Sequence, residues 1–427
     1  MAEWPPSRTA ANMTATSKPR ILTLSTVYPS PIESELGVFV QSRVRYLARR
    51  TEIKVLAPVP IINYRRHILQ FRRNFPERSY DELIEVIRPR WFYPPGGGAL
   101  NAAFLFLRIV WSVARLSRKY RFQVIDAHFA HPEGVAAALL SWIFHCPFTV
   151  TMRGNEQVHT QHTFRRLTIG WALRRAERVI AVAENLRNLA INLGVDASHV
   201  ITIPNGIDTE IFHPHDRRQS RAKCCVLSGA KLIVSAGHLI ELKGHHRIIN
   251  ALRTLIDSGI DVELAIAGGR GRAEDYEPAL RQQISEHKLE TRVRMLGHLD
   301  REALANLLSA ADVFCLASSR EGWPNVVHEA LACGTPVVAT RVGGVPQMIP
   351  SQQYGIVVPV DDEIALTNAL SRALFTPWDR HLIASWGQTR SWEQVAAEIL
   401  SIFEEVRAEF DRYRGAYPLL KRRKSPA

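Results

Sequence analysis

The sequence predicts an α/β protein made of two doubly wound domains in series, on three observations. Apolar β-runs alternate with helical stretches along nearly the whole chain. The alternation stops after Asp208 at a polar, basic stretch and then starts afresh. The chain has 427 residues, 46% of them hydrophobic, which is too much for one ordinary core and enough for two.

Taken in order, Arg20–Ser25 (RILTLS) reads as the first strand. A Pro- and Gly-containing loop from Thr26 to Gly37 follows, and then a helix over Val38–Arg50. Further strands are expected at Glu52–Ala57, Val124–Ala127, Phe148–Met152, Val179–Val182 and Val200–Ile203. Pro204-Asn205-Gly206-Ile207-Asp208 is a turn, and the stretch to Lys223 has little periodicity, so the domain boundary falls there. The second series runs Leu232–Ser235, Val262–Ala267, Val293–Leu296, Val313–Leu316 and Pro336–Ala339. The expected organisation is a disordered lead-in over 1–19, a first domain over 20–205, a linker over 206–225, a second domain over 226–390, a helix over 391–415 and a basic tail over 416–427. Each domain would offer a crevice where its sheet reverses direction.

Charge is unevenly shared. Residues 1–210 hold 27 Lys and Arg against 16 Asp and Glu, whereas the remainder is nearly balanced within a net charge of +13. A basic first half suits an anionic membrane surface, a polyanionic substrate or nucleic acid, or is simply a solvated surface. The five cysteines form no C-x-x-C pair, which suggests reduced thiols in a cytosol and neither a disulfide scaffold nor a zinc site. The first 20 residues lack the apolar centre of a secretory leader. The longest apolar runs, Ala99–Ala114 and Gly134–Phe144, are interrupted by Arg108 or end at His145, short of a spanning helix. The expectation is therefore a cytoplasmic protein, soluble or peripheral on the cytoplasmic membrane face.

The window Ala317–Gly344 (ASSREGWPNVVHEALACGTPVVATRVGG) is the richest in chemistry. Glu321 follows a buried strand, where ligands gather in open α/β sheets. Pro324 suits a helix start and Gly334 a helix stop, so a helix over Asn325–Cys333 would point its N-terminal amides into the crevice. Such an end attracts a diphosphate. Glu321 and Glu329 do not read as a hydrolytic pair. Eight helical residues span about 12 Å, beyond the roughly 5–9.5 Å that flanks one glycosidic bond. One carboxylate at each end of an elongated ligand fits better, with Glu329 on a ribose diol. The plain alternative is a solvated Glu329 on a helix face.

This window resembles the E-x7-E segment of the family-4 retaining glycosyltransferases, which have the GT-B fold, and the resemblance extends over most of the chain. It implies that Glu321, Gly322, Trp323, Pro324, Asn325 and Glu329 line a nucleotide-sugar donor. Gly237-His238-Leu239 through Lys243-Gly244 resembles the family's G-R-L…K-G stretch, whose basic pair grips the donor diphosphate. Lys243 matches, but His238 stands in place of the Arg. Either His238 works protonated beside the phosphates or donor binding is weaker. Asp126-Ala127-His128 through Pro132-Glu133-Gly134 is similar to the H-x-H-x-x-x-P-[DE]-G stretch of a polysaccharide-assembly branch, with Asp126 replacing the first His and His128 implied beside the transferred sugar. Thr151-Met152-Arg153-Gly154-Asn155 resembles the branch's T-x-R-G-[SN] stretch, which puts Arg153 and Asn155 on the sugar or acceptor side. Tyr28-Pro29 through Gly37-Val38-Phe39-Val40 resembles the branch's amino-terminal glycine loop, which implies that Gly37 lets the backbone approach the diphosphate. Ile203-Pro204-Asn205-Gly206-Ile207-Asp208 resembles the family's interdomain linker, and Gln347 departs from the Glu often found after Gly-Gly.

The resemblance implies transfer of a sugar from a nucleoside diphosphate to a hydroxyl with retention of configuration. His128, Lys243 and Glu321 would be the catalytic residues. No D-x-D motif occurs, so neither a metal nor any other cofactor is expected. The implied partners are the nucleotide sugar, a saccharide or lipid-linked acceptor and an anionic membrane surface, which Ile61–Phe75 (IINYRRHILQFRRNF) would contact unless it is an ordinary surface helix. Ser391-Trp392-Glu393 would lie on a last helix crossing back to the first domain. Nucleic acid is not an expected partner, because no aromatics interleave with the basic residues on a strand surface. A catalytically silent sugar-nucleotide-binding homologue is the alternative suggested by His238, Asp126 and Gln347.

Overall fold

The computed structural model describes residues 18–30, 33–65, 68–71, 76–92, 98, 100–224, 229–271 and 274–416. Most of the expected lead-in, all of the basic tail beyond Ala416, and residues 66–67 and 72–75 of the Ile61–Phe75 stretch lie outside these residues.

The first domain holds β1 (Ile21–Leu24), β2 (Ile53–Leu56), β3 (Val59–Pro60), β4 (Ile62–Arg65), β5 (Ile68–Phe71), β6 (Arg78–Asp81), β7 (Ile84–Ile87), β8 (Arg90–Trp91), β9 (Val124–His128), β10 (Phe148–Met152), β11 (Arg178–Ala181) and β12 (Val200–Thr202). Eight of them form one sheet in the order β12-β11-β10-β9-β1-β2-β7-β6, parallel except for the β6–β7 edge. Residues of alternating parity serve opposite faces, as a pleated strand requires. Ile21, Val55 and Val124 pack with Val40, Val44 and Leu47 of helix Val38–Ala48 and with Trp392, Ile399 and Phe403 of the terminal helix Trp392–Ala416. Leu22, Leu56 and Ile125 pack on the other side, under helices Asn101–Lys119, Val135–Phe144 and Thr163–Leu173. The terminal helix thus belongs to the first domain's core, which ties the two ends of the chain together.

The second domain has β13 (Lys231–Ala236), β14 (Val262–Ala267), β15 (Val293–Gly297), β16 (Val313–Leu316), β17 (Val337–Thr340) and β18 (Gly355–Val358) in the order β15-β14-β13-β16-β17-β18, all parallel. The winding reverses between β1 and β9 in the first sheet and between β13 and β16 in the second. Those reversals open the crevices at the carboxyl ends of the strands.

Two expectations are corrected. β4 and β5 pair antiparallel, so the described part of Ile61–Phe75 is a hairpin and not an amphipathic helix. The presumed linker contains helix Arg217–Lys223, whose Arg221 bonds Asp312 at 3.1 Å, so this segment packs with the second domain. No helix among the described residues is long and apolar enough to cross a membrane.

Candidate active site

The second-domain half of the site is built by two loops that leave adjacent strands. After β13, Gly237 and Gly244 both have positive φ, and a Cβ on Gly244 would lie 2.0 Å from the Ala317 carbonyl oxygen. Only glycine lets this loop lie against the loop after β16. That approach sets Lys243 Nζ 2.6 Å from Glu321 Oε1, and Ser318 Oγ donates to the same oxygen at 2.7 Å. Lys243, placed by the resemblance at the phosphates, and Glu321, placed at the sugar, therefore form one half-buried ion pair. A bound diphosphate would compete with Glu321 for the ammonium.

The loop from Glu321 is braced from beneath. The Gly344 amide donates to the Gly322 carbonyl at 2.8 Å, and a Cβ on Gly344 would strike the Trp323 ring. Trp323 is buried and packs edge-to-face on His328, and so supports the loop. Pro324 is the cap residue of helix Asn325–Ala332, whose first residue meets the first domain through Asn205 and whose first turn offers amides without an intrahelical partner. The carboxylate of Glu329, one turn along, has neither a hydrogen bond nor an ion pair with any of the described residues, while its carbonyl accepts from the Cys333 amide at 3.1 Å. Burial pushes its carboxyl up to about 7, against the pull of Arg301. His238 is exposed on the loop after β13.

The first-domain half is a chain of buried polar side chains. Arg43 stands on the apolar stripe of helix Val38–Ala48 and donates to both oxygens of Asp126, at 3.0 and 3.2 Å, and to Thr151 Oγ1 at 2.7 Å. Thr149 Oγ1 donates to Asp126 Oδ1 at 3.2 Å. Burial alone would raise the Asp126 carboxyl, but Arg43 and then His128 hold it well below the usual carboxylate range. His128 Nε2 lies 3.0 Å from Asp126 Oδ2, and Arg153 Nε lies 3.1 Å from His128 Nδ1. An arginine Nε–H can only donate. Nδ1 is therefore the acceptor, and the neutral ring donates through Nε2–H to Asp126. Burial pushes His128 down to about 3, against the attraction of Asp126, which agrees with a neutral ring. With both nitrogens committed and no exposed surface, His128 orients Arg153.

Arg153 carries the chain to the cleft. Its Nη1 donates to Asn205 Oδ1 at 2.9 Å, its guanidinium stacks 4.9 Å over the Phe39 ring, and its buried Nη2 has no partner among the described residues. The Glu156 carboxylate accepts from the amides of Ala130, Arg153 and Gly154 at 3.0, 3.2 and 2.8 Å, fixing the loop that presents Arg153. Asn155 is exposed at the start of the short helix Glu156–His159. Gly37 has φ 74°, and its missing Cβ is needed first by the Val27 carbonyl, since a Cβ there would be 2.4 Å from that oxygen.

The two halves meet backbone to backbone. A Cβ on Gly322 would lie 2.0 Å from the Arg153 carbonyl oxygen, and one on Gly154 would lie 2.9 Å from the Gly322 Cα. Asn205 Nδ2 donates to Asn325 Oδ1 at 3.0 Å. The polar chain therefore runs Asp126–His128–Arg153–Asn205–Asn325, from the first domain's core to the first residue of the second domain's helix. Arg301 with Asp208 at 3.0 Å, His298 with Glu35 at 3.2 Å, and the Glu184 amide with Gln347 Oε1 at 2.9 Å add further bridges. Lys243, Glu321, Asn325 and Arg153 are thus brought to one junction. Sequence reading missed Arg43, Asn205, Glu156 and Ser318 as parts of the site. Arg43 had a signal: a lone arginine on the Val40–Val44–Leu47 stripe needs a buried partner.

Known proteins agree with this architecture. Residues 36–211 match the model of Glycosyltransferase Family 4, and residues 216–389 match that of Glycosyl transferases group 1. A Bacillus subtilis (strain 168) protein named as a teichuronic acid biosynthesis glycosyltransferase, TuaC, is 28% identical over 417 residues, covering 94% of this chain and 97% of its own. Among solved structures, sucrose-phosphate synthase from Thermosynechococcus elongatus aligns with a TM-score of 0.74 at 20% identity over 91% of this chain and 100% of that one. Anabaena HepE in complex with UDP aligns with a TM-score of 0.69 at 20% identity over 90% of this chain and 100% of that one. The chain accordingly belongs to the glycosyltransferases, with a family 4 domain followed by a group 1 domain in the GT-B arrangement.

Proposed function

We propose that the protein transfers a sugar from a nucleoside diphosphate to a hydroxyl of a saccharide or lipid-linked acceptor, with retention of configuration and without a metal ion, in the assembly of a cell-surface polysaccharide or glycolipid. The observation that carries this reading is the Lys243–Glu321 ion pair at the β13/β16 reversal, beside the amides of helix Asn325–Ala332. A departing diphosphate needs cationic charge and oriented dipoles where its negative charge grows. Lys243 and the helix start supply both. Glu321, once released from Lys243, accepts hydrogen bonds from the sugar hydroxyls. Glu329, whose carboxylate has no partner among the described residues, receives the ribose diol. Arg153, held by His128, turns its unpaired Nη2 toward the sugar or acceptor.

Retention is proposed through front-face departure, with the leaving phosphate taking the acceptor proton. The name of the Bacillus relative supports the polysaccharide setting, and the UDP complex of HepE supports a nucleotide ligand. The test is a thermal-shift screen of purified protein against UDP-, GDP- and ADP-sugars, since a ligand that binds only the folded state raises its stability. Transfer to acceptor in EDTA should follow, with the product anomer read by NMR. One donor should stabilise the protein, and the product should keep the donor's configuration. An inverted product or chelator-sensitive transfer would overturn the mechanism. Donor binding with neither hydrolysis nor transfer to any acceptor would favour a silent binding homologue.

A further inference from the structure

Three loops leave the carboxyl end of the first sheet beside its reversal point, and two buried carboxylates tie them together. β1 and β9 pair from Ile21–Val124 to Leu24–Ala127 and then part. Across the gap, Thr26 on the loop after β1 donates its amide to Glu133 Oε1 at 2.9 Å, and its hydroxyl donates to the same oxygen. Glu133 lies on the turn Ala130–Gly134 that follows β9. Glu156, after β10, accepts from Ala130 on that same turn and from Arg153 and Gly154 on its own loop. The two carboxylates thus form a belt from the β1 loop to the Arg153 loop. Glu133 is 1% exposed, and its Oε2 has no partner among the described residues. Burial pushes its carboxyl up to about 7, against the Thr26 bonds, and Glu156 adds repulsion. Burying an ionisable group with one oxygen unused calls for a reason beyond packing.

What Thr26 holds in place is the Gly37 turn. A Cβ on Gly37 would lie 2.4 Å from the Val27 carbonyl oxygen, so the two backbone segments touch. Gly37 opens helix Val38–Ala48, which sets Phe39 under the Arg153 guanidinium and Arg43 on Asp126. The next residues of the β1 loop are held from the β6–β7 edge. Tyr28 Oη donates to Asp81 Oδ2 at 2.6 Å, and Arg88 Nη2 donates to the Pro29 carbonyl at 2.8 Å. Glu133 holds the same loop from the crevice side.

We infer that Glu133 is a positioning residue for transfer: through Thr26 and Val27 it sets the Gly37 turn against the donor diphosphate and keeps that turn in register with Arg153. This role rests on the proposed transfer reaction. Glu133 acts through the backbone and is not itself a catalytic group. In that reaction Lys243, Glu329 and the start of helix Asn325–Ala332 grip the donor from the second domain. A displaced Gly37 turn is therefore felt less in donor binding than in the transition state, where the departing diphosphate gains charge.

The test is a set of variants of the full chain, assayed with whichever UDP-, GDP- or ADP-sugar stabilises the unaltered protein. Glu133→Ala should lower kcat by about 10- to 100-fold, as a small misplacement does, and change donor Kd by less than about 3-fold. Glu133→Gln keeps an oxygen for Thr26 and should restore most of kcat. Thr26→Val should lower kcat in the same direction, and adding it to Glu133→Ala should cost little more, because both cut one link. Thr26→Val also carries the test if Glu133→Ala fails to fold. Hydrogen exchange of the amides of residues 22–30 should quicken in Glu133→Ala and stay near the unaltered rate in Glu133→Gln. Equal losses in the alanine and glutamine variants, donor affinity falling as far as turnover, or additive losses in the double variant would overturn the proposal. Unchanged exchange in Glu133→Ala would overturn the clasp by itself. Absence of transfer by the unaltered protein, with exchange quickened as expected, would instead overturn the transfer reading on which the role rests.

Discussion

The two halves of the site solve opposite problems. In the first domain, Arg43, Asp126 and His128 are buried in a network of hydrogen bonds between protein groups. In the second, Lys243 and Glu321 hold each other at the cleft, and the Glu329 carboxylate has no partner among the described residues. The first half is a scaffold that fixes one arginine. The second is a set of groups whose partners a ligand can exchange. Low dielectric strengthens the buried network and makes the exchangeable charges responsive.

The largest effect should come from breaking the scaffold. Asp126→Ala leaves the Arg43 guanidinium buried without its carboxylate, a change that costs about 3–5 kcal/mol of folding stability. Urea unfolding should show it, and Arg43→Leu added to Asp126→Ala should recover part of the loss. If the double variant is no more stable than the single one, the pair is not the keystone of the network.

On the exchangeable side, Lys243→Ala should cut turnover by about 100- to 1,000-fold, the usual cost of one group that stabilises developing charge. Its melting temperature should hardly move, because Glu321 keeps Ser318 and reaches water. A variant that unfolds early would make Lys243 part of the scaffold and erase the contrast between the halves.

Glu329 should give a pH signature of intermediate size. Its folded-state value, about 7, lies above the ordinary 4.5. The folded state therefore binds the proton more tightly, so this contribution to stability is full below the ordinary value and is lost as pH rises through about 7. Donor affinity should run the other way, improving as the carboxylate ionises and accepts the ribose hydroxyls. Glu329→Gln should flatten both profiles over that window, read by thermal unfolding and donor titration. Profiles identical to wild type would remove Glu329 from the donor site.

The smallest expected change is at the bridge between the halves. Asn205→Ala removes the link from Arg153 to Asn325, two hydrogen bonds each worth about 0.5–1.5 kcal/mol net. Turnover should fall several-fold more than donor affinity does, since the first domain's arginine loses its register on the second domain's helix. An unchanged ratio of the two would mean that the halves act separately.

Much of the architecture is legible in the amino-acid sequence. The restart of strand–helix alternation, the Pro324 and Gly334 boundaries and the Lys243–Gly244 and Glu321–Glu329 segments are local patterns, and local patterns survive in sequence. The hairpin β4–β5 is not legible there, because two Arg pairs set among apolar residues suit a helix face as well as a strand pair. The burial of Trp323 is equally hidden: only the approach of Gly344 shows that the ring turns inward.

By itself, then, the sequence determined the fold class, the reversal-point loops and the charged residues those loops carry, since periodicity and turn chemistry act over a few residues. Tertiary structure alone decided which groups are partners. It placed Arg43 on Asp126, 83 positions away, His128 on Arg153, and Asn205 on Asn325, 120 positions away. It thereby made His128 a support for Arg153. Those pairings depend on where two sheets come to rest against each other, and side-chain burial, which fixes the charge state of each group, exists only once they do.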